Sequence, residues 1–326
     1  MLQNPVTRSR LFLAIIATAT LAACSKSADV PKEQAATPAP APVVAPASDN
    51  VKSFMIGELS AMALRDGGME VPNDNKVFAV GRTPEEVATV IAAAGQPTDK
   101  LALSIQPLLV KTHDKVLMFD SGAGATFGPG AGKLSGSLAE AGVDPSSVTD
   151  IFISHAHGDH VGGLLKPDGT LAFPNAAIHL SAAEWKSMSG LSAEQARNMG
   201  IENYAAQIAT VKPKVVEFTP GSELIPGMVK AVDIKGHTPG HSGYLISSGA
   251  DSLLYVGDSM HHFVVSVQKP EWTIAFDGDA PTAQKSRADL IAASAASGQR
   301  IYSVHFPFPG LGKFEKQGDK YVWMAE

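Results

Sequence analysis

Two hydrophobic patterns alternate along the chain: short apolar runs typical of buried strands, and mixed segments that begin with helix N-cap signals. The apolar runs predict strands at 115–119, 151–153, 227–234, 243–246, 252–256 and 301–304. Helices are predicted at 84–94, 134–141 and 280–296, and a glycine follows each of them within two residues. Strands and helices in alternation are typical of an α/β fold.

Polar side chains with metal-binding or proton-transfer chemistry follow several of these strands. Asp120 follows strand 115–119, Asp258 follows strand 252–256, and His305 follows strand 301–304. Loops after strand ends are where such folds usually carry their chemistry. The pattern therefore places a candidate site at one edge of the predicted sheets.

The densest group of such side chains lies in the stretch IFISHAHGDHVGGLL, residues 151–165. His155 and His157 are two positions apart, so a turning backbone can aim both at one point. Asp159 and His160 follow on a tight turn that Gly158 permits. A lone H-x-H pair is weak evidence for a metal, but the complete H-x-H-x-D-H offers four donors within one turn.

His237, Asp258 and His305 add further donors, which gives five imidazoles and two carboxylates in all. This number is sufficient for two divalent ions, and neutral imidazole with carboxylate suits zinc. The alternative is that these are polar side chains of the surface and core, paired within the protein.

Composition and charge limit the classes of partner and of metal ligand that the chain can have. The 326 residues are 44% hydrophobic and 18% charged, an ordinary composition for a chain with a substantial core. A formal charge of -6 leaves no basic face for a nucleic-acid backbone, so no nucleic-acid partner is expected. Cys24 is the single cysteine, which excludes a disulfide framework and excludes thiolate ligands from any metal site in the body.

The amino-terminal segment has the pattern of an export signal. Arg8 and Arg10 precede the apolar run 11–23, which is too short to span a bilayer of about 30 Å as a helix. The run ends in LAAC, which resembles the bacterial lipoprotein processing box, with cleavage before Cys24 and acylation of that cysteine. The alternative is an ordinary signal peptide with Cys24 incidental.

Residues 25–50 are rich in alanine and proline and contain no aromatic residue, so we expect a disordered spacer. The predicted organisation is therefore a signal peptide at 1–23, a lipidated cysteine and linker at 24–50, and one domain at 51–326. The protein is expected to be anchored to the bacterial cell envelope through its lipid alone, facing the periplasm or the exterior.

From about Leu101 to the carboxyl terminus, the chain resembles the metallo-β-lactamase superfamily. The resemblance rests on FDSG, SHAHGDHVGG, GHTPGHS, YVGDS and the last histidine, in that order. It implies an αββα sandwich. It also implies two metal sites that share one carboxylate, with the first held by His155, His157 and His237, the second by Asp159, His160 and His305, and Asp258 bridging.

Within the superfamily, the sequence is most similar to the methyl parathion hydrolase group and its lactonase-like relatives. The similar segments are FDSGAGATFGPGAGKL, HVGGLL, GDSMHH and VHFPFPGLGKFEKQGDKYVWM. The classes with a cysteine ligand, with glutamate at position 157 or with a nucleic-acid-binding surface do not match. The resemblance implies an apolar substrate pocket lined by Phe127 and Trp185, with Phe306 and Phe308 contributing, whereas core packing is the alternative for each ring.

The resemblance implies a secreted dinuclear zinc hydrolase that uses a metal-bridging hydroxide to cleave lactone, ester or phosphotriester bonds, with quorum quenching as one role. Manganese, cobalt or iron could replace zinc. Asp159 is expected to handle a proton as well as bind metal, and a homodimer is also considered because members of this branch are often dimers. Two alternatives stay open: a metal-holding lipoprotein without catalysis, and a mono-iron thiol dioxygenase of the same superfamily.

Further polar residues near the motif are candidates for supporting roles. Asp120 either orients a ligating imidazole or caps a turn, and His241 is expected to support the site rather than bind metal. His261 and His262 either face the pocket or lie on the surface. His113 and His179 are assigned no role.

Overall fold

The computed structural model describes residues 48–326. The predicted signal segment, the predicted lipidation site Cys24 and residues 25–47 of the predicted spacer lie outside the described residues. The first strand begins at Val51. No helix within residues 48–326 is both long enough and apolar enough to cross a membrane.

Eighteen strands are present among the described residues. In chain order they are β1 (Val51–Ile56), β2 (Leu59–Leu64), β3 (Gly67–Pro72), β4 (Phe78–Val80), β5 (Lys100–Ile105), β6 (Leu108–Lys111), β7 (Val116–Phe119), β8 (Asp150–Phe152), β9 (Ala177–Ser181), β10 (Val215–Phe218), β11 (Glu223–Ile225), β12 (Val229–Asp233), β13 (Ser242–Ser248), β14 (Asp251–Tyr255), β15 (Thr273–Ile274), β16 (Arg300–Tyr302), β17 (Leu311–Gln317) and β18 (Lys320–Ala325).

Eight α-helices lie between these strands in the described part of the chain. They are α1 (Pro84–Ala92), α2 (Leu134–Glu140), α3 (Gly158–Val161), α4 (Ala182–Ser189), α5 (Ala193–Asn198), α6 (Tyr204–Val211), α7 (Val265–Gln268) and α8 (Ala280–Ser297). The predicted helix starts are confirmed at α1, where Thr83 and Glu86 form a capping box, and at α8, where Asp279 caps the first turn. Gly298 ends α8 in the left-handed conformation, with φ of 69°.

Two seven-stranded sheets form the centre of the fold. The first has the order β1-β2-β6-β7-β8-β9-β10 and the second β11-β12-β13-β14-β16-β17-β18. Neighbouring strands from β7 to β10 are parallel in the first sheet, and β14 pairs in parallel with β16 in the second. Two small sheets, β3 with β5 and β4 with β15, stand beside them.

The sheets pack face to face through an apolar and aromatic core. The ring of Phe119 stacks on that of Phe152 with centroids 5.1 Å apart, and the ring of Tyr244 lies 5.5 Å from both. A second core fills the space between the first sheet and α2, α4, α5 and α6, and a third lies between the second sheet and α8. Helices therefore cover both outer faces, which confirms the αββα sandwich.

The topology brings the polar strand ends together. Because β7 and β8 are parallel, Asp120 and the histidine motif emerge at the same edge of the first sheet. Because β14 and β16 are parallel, Asp258 and His305 emerge side by side from the second. These two edges face each other across the sandwich and form the site.

Candidate metal centre

A short helical turn directs the four motif donors inward. Strand β8 ends at Phe152, and α3 begins at Gly158, where the backbone amides of His160 and Val161 donate to the His157 carbonyl at 3.0 and 3.1 Å. Any side chain at position 158 would collide with the backbone of Gly200. Glycine is therefore required for this turn to pack against the segment that precedes α6.

Three imidazole nitrogens meet at one point in the first donor group. His155 Nε2 and His237 Nε2 each lie 2.9 Å from His157 Nδ1, and they are 3.2 Å from each other. Asp258 Oδ2 completes the group at 3.6 Å from His155 Nε2 and 3.5 Å from His237 Nε2.

The second donor group consists of Asp159, His160 and His305. Asp159 Oδ1 lies 3.6 Å from His160 Nε2, and Asp159 Oδ2 lies 3.5 Å from His305 Nε2. Asp258 Oδ1 approaches the same two nitrogens at 3.2 and 3.1 Å. The two oxygens of Asp258 therefore face both groups, as expected of a bridging carboxylate.

Hydrogen bonds on the far side of three rings fix which nitrogen carries the proton. His237 Nδ1 lies 3.0 Å from Asp277 Oδ1, and His160 Nδ1 lies 2.7 Å from Asp120 Oδ2. His305 Nδ1 lies 2.7 Å from the Ser104 carbonyl. Each of these oxygens only accepts, so each Nδ1 donates and the Nε2 lone pair points into the centre.

The donor set fits two divalent cations. His160 Nε2 and Asp258 Oδ1 are buried without a hydrogen-bond partner, which is costly for polar atoms unless a cation takes their lone pairs. Bonds of about 2.0–2.1 Å to a tetrahedral zinc ion would separate neighbouring ligand atoms by about 3.3 Å, close to the distances observed. Imidazole nitrogen and carboxylate oxygen, without thiolate, are also ligands that zinc and similar divalent cations accept.

Electrostatics favours positive charge at this centre. Burial lowers the pKa of His157 to about 3 and that of His237 to about 4, so both rings are neutral and their lone pairs are free at pH 7. Burial also acts to lower the pKa of His160, but Asp258, Asp159 and Asp120 outweigh it and raise this pKa well above its usual value. The carboxylates around His160 therefore favour positive charge at this point of the centre.

Asp120 and His241 support the donors, which is the role expected of His241 and one of the two alternatives left open for Asp120. Besides His160, the Asp120 carboxylate accepts from the backbone amide and the hydroxyl of Ser154 at 2.6 and 2.7 Å and from the Tyr255 hydroxyl at 2.6 Å. His241 Nδ1 donates to the Ile234 carbonyl at 2.7 Å, and its Nε2 accepts from the Asp258 amide at 2.9 Å. His241 therefore positions the bridging carboxylate.

Glu184 is a supporting residue that the sequence did not reveal. Its buried carboxylate accepts from the Ala156 amide at 2.8 Å, between His155 and His157, and from Thr238 Oγ1 and the Gly240 amide at 2.7 and 2.9 Å, just after His237. It thereby joins the two loops that carry the first donor group. In the sequence, Ser181 and Glu184 resemble only an ordinary capping box.

The remaining histidines lie in different surroundings. His261 and His262 are buried, so the surface alternative is wrong for both. Neither ring nitrogen of His261 has a hydrogen-bond partner, and its Nε2 lies 3.2 Å from Asp258 Oδ2. His113 is exposed, and His179 Nε2 binds Asp150 Oδ1 at 3.0 Å, at the opposite end of β8 from the metal donors.

A cavity of about 340 Å³ opens directly above the donors. Its floor is polar and includes His157, Asp159, Asp258, His261 and His305. One part of its wall is apolar and consists of Met69, Leu103, Phe127 and Phe276, and another part carries the polar side chains of Arg197, Asn198 and Glu202. A larger cavity of about 940 Å³ adjoins it and shares Met69, Leu103 and Phe127 with it.

The four aromatic residues expected at the substrate pocket divide into two pairs. Phe127 lines both cavities and Phe308 lines the larger one. Trp185 instead packs against the core outside the first sheet, and Phe306 is fully buried with its ring 4.9 Å from that of Trp323. The structure therefore places Trp185 and Phe306 in cores rather than at either cavity, because their side chains point to the helix-covered faces of the sheets.

Comparison with known proteins identifies related chains. The family model for the metallo-beta-lactamase superfamily matches residues 103–305, which include all seven donors. A probable metallo-hydrolase of Mycobacterium tuberculosis is 27% identical over 191 residues, a match that covers 50% of this chain and 58% of that protein.

Two solved structures are similar over most of their length. AidC, a dizinc quorum-quenching lactonase solved with the product N-hexnoyl-L-homoserine, has a TM-score of 0.79 and 29% identity, covering 85% of this chain and 97% of its own. The hydrolase AbOPH of the beta-lactamase superfamily has a TM-score of 0.75 and 30% identity, with the same coverage. Both are consistent with the lactonase-like branch that the sequence suggested.

Proposed function

The chain belongs to the metallo-beta-lactamase superfamily, and we propose that it is a dizinc hydrolase that opens small apolar lactones and cleaves related esters. That it is a metal-dependent hydrolase of this superfamily rests on the family match and the donor set. One observation carries the finer proposal: Asp258 faces both donor groups at the base of a small cavity that has an apolar wall formed by Met69, Leu103, Phe127 and Phe276.

The ions, when bound, supply Lewis acidity and lower the pKa of water from 15.7 to about 7. The chain supplies the rest. Asp277, Asp120 and the Ser104 carbonyl hold three imidazoles in the tautomer that presents Nε2 to the centre. The Asp159 carboxylate lines the cavity, within reach of a bound substrate, and we assign it the transfer of a proton to the leaving oxygen.

The size and chemistry of the cavity support a small substrate with an apolar part. About 340 Å³ lies near the lower end of the range for small-molecule sites, about 300–1,000 Å³. The apolar side chains Met69, Leu103 and Phe127 would contact an acyl or aryl group while the reacting bond faces the donors. The acyl-homoserine product bound to AidC supports a lactone for this chain as well.

A turnover panel with the metal-loaded protein tests this proposal. It contains acyl-homoserine lactones, other lactones, aryl esters, a phosphotriester, a β-lactam and a glutathione thioester. We expect the highest kcat/KM with lactones or aryl esters, and activity on the thioester alone would overturn the proposal. One iron per chain with oxygen consumption would instead support a thiol dioxygenase.

The same panel, run with Asp159→Asn, tests the proton-transfer role. We expect a lower turnover, most marked for substrates whose leaving group is a poorly stabilised alkoxide. Full metal content together with full turnover would exclude that role for Asp159.

We also propose that the protein is exported and anchored through lipid on Cys24. The support is the sequence alone: the basic start, the apolar run 11–23 and the LAAC box that contains the single cysteine. Mass spectrometry of the membrane fraction of a bacterial host should find the mature chain beginning at an acylated Cys24. A chain that begins elsewhere and carries no lipid would contradict this.

A further inference from the structure

Asp66 is a buried carboxylate outside the metal centre. It lies on the turn between β2 and β3 and is 1% exposed. Within residues 48–326, no lysine, arginine or histidine comes close enough to form an ion pair with it. Burial raises the pKa of this carboxyl above its usual value, and hydrogen bonds from three backbone amides oppose part of that shift.

Two of those amides belong to the beginning and the end of one loop, and the third belongs to Leu134, the first residue of α2. Asp66 Oδ2 accepts from Ala123 at 2.9 Å and from Gly132 at 3.1 Å, and Oδ1 accepts from Leu134 at 2.7 Å. The backbone carbonyl of Asp66 also accepts from the Lys133 amide at 2.9 Å. We call residues 123–133 the wall segment, and a single carboxylate fastens its beginning to its end.

The wall segment carries the aromatic ring that stands between the two cavities. Phe127 lies in its middle and lines both the 340 Å³ and the 940 Å³ cavity. The ring packs on Gly200, where an added Cβ would be 3.2 Å from its edge. The position of Phe127 therefore depends on how the ends of the wall segment are held.

We propose that Asp66 is a positioning residue that fixes the wall segment, so that Phe127 closes the small cavity and favours small substrates over bulky ones. This inference rests on the proposed hydrolase function. A carboxyl group suits the task, because its two oxygens can accept from three backbone amides at once. The Asp66 carboxylate accepts hydrogen bonds from backbone amides and from none of the metal donors, so its replacement should alter substrate fit and leave the metals in place.

Asp66→Asn is the direct test because it keeps the size of the side chain. In either orientation, the new NH₂ group faces at least one of the three backbone amides, so donor opposes donor. We expect amide hydrogen exchange across residues 121–136 to become at least tenfold faster, with two metal ions per chain retained. This readout needs no substrate. Unchanged exchange, or loss of metal, would overturn the proposal.

Kinetics of the same variant test the substrate effect. KM for a short-chain lactone should rise about tenfold, with a smaller change in kcat. A bulky aryl ester can enter the merged cavities, so its kcat/KM should fall less. Phe127→Ala should produce the same shift, and the double variant should be no worse than Phe127→Ala alone. Fully additive effects would show that Asp66 does not act through Phe127.

Asp150→Asn is the matched control. Asp150 is also buried and also accepts several hydrogen bonds, but it lies at the opposite end of β8 from the metal donors. It should change neither KM nor amide exchange at residues 121–136. If Asp150→Asn had the same effect on them as Asp66→Asn, the role of Asp66 would be general stabilisation of the fold and not positioning of the wall segment.

The role of Asp66 can also be tested if the variant does not fold or if the protein proves not to be a hydrolase. If Asp66→Asn does not fold, site-resolved exchange in the unmodified protein decides: the amides of Ala123, Gly132 and Leu134 must exchange more slowly than that of exposed Gly128, and equal rates would contradict the proposal. If the unmodified protein cleaves no ester or lactone, the proposed function fails, while the exchange result still decides whether Asp66 holds the wall segment.

Discussion

At the scale of single residues, the centre is organised by carboxylates that each serve more than one group. Asp258 faces both donor groups with its two oxygens. Asp120 binds one ring and the loop that precedes it, and Glu184 joins the two loops of the first group. The ligands are therefore held in position before any ion arrives, which lowers the cost of ordering them on binding.

Replacing Glu184 tests this claim. Glu184→Gln keeps the shape but replaces one acceptor oxygen with a donor that faces backbone amides or the Thr238 hydroxyl. We expect affinity for one of the two ions to fall about 10–100-fold, the usual effect of losing a group that orients metal ligands. Competition with a chromophoric chelator measures it, with exposed Glu85→Gln on α1 as the matched control. Equal metal affinity in both variants would show that the two loops keep their positions without Glu184.

Residue identity and order were enough to predict the seven donors, because they occur in one motif and at strand ends. They were not enough for Glu184, whose local pattern is that of a helix start, or for His261, whose burial depends on the rings of Phe78 and Phe276 that pack near it. The aromatic predictions show the same limit. Sequence gives the position of Trp185 and Phe306, but the direction of each side chain follows from the tertiary packing.

At the scale of elements, the parallel strands β7, β8 and β9 carry different chemistry at their two ends. The carboxyl ends deliver the metal donors and Asp120. At the amino end, Asp150 accepts from Lys115 Nζ at 2.8 Å and lies 3.0 Å from His179 Nε2, so it joins the three strands. Burial acts to raise the pKa of Asp150, but hydrogen bonds from His179, Lys115 and Thr149 outweigh it and hold this pKa well below its usual value.

A depressed carboxyl pKa gives a defined dependence of stability on pH. The ionised form is favoured in the folded state, so its contribution is fully present above the unfolded pKa of about 3.9 and is lost as the pH falls further. At pH 7, Asp150→Asn should lower the free energy of unfolding by about 1–3 kcal/mol. The difference between the variant and the unmodified protein should shrink below about pH 4, as thermal unfolding would show. A difference that stays constant from pH 7 to pH 3 would contradict this.

The sequence predicted the central elements better than the outer ones. Strands β7, β8, β14 and β16 are apolar runs buried on both faces, which is a strong signal. The hairpin of β17 and β18 was not predicted, because the β17 sequence LGKFEKQ alternates weakly and is rich in charge. Strands β3, β4 and β5 were also missed, since they owe their stability to pairing with distant segments.

At the scale of the whole molecule, the sandwich brings two sheet edges together so that donors distant in sequence meet. His155 and His237 are 82 residues apart and their Nε2 atoms are 3.2 Å apart. The αββα fold and the shared carboxylate followed from the family resemblance. The substrate did not, because the cavity walls come from β3, β5 and the wall segment, whose packing no motif encodes.

The central claim is that two ions held by these seven side chains drive the cleavage of a lactone or ester. Its most direct test is to strip the protein of metal, add zinc stepwise and follow lactone opening together with bound metal per chain. The account predicts no activity without metal, a plateau at two zinc ions per chain, and little activity at any zinc level for Asp258→Asn. A plateau with a single ion, or full metal loading without cleavage of any lactone or ester, would contradict it.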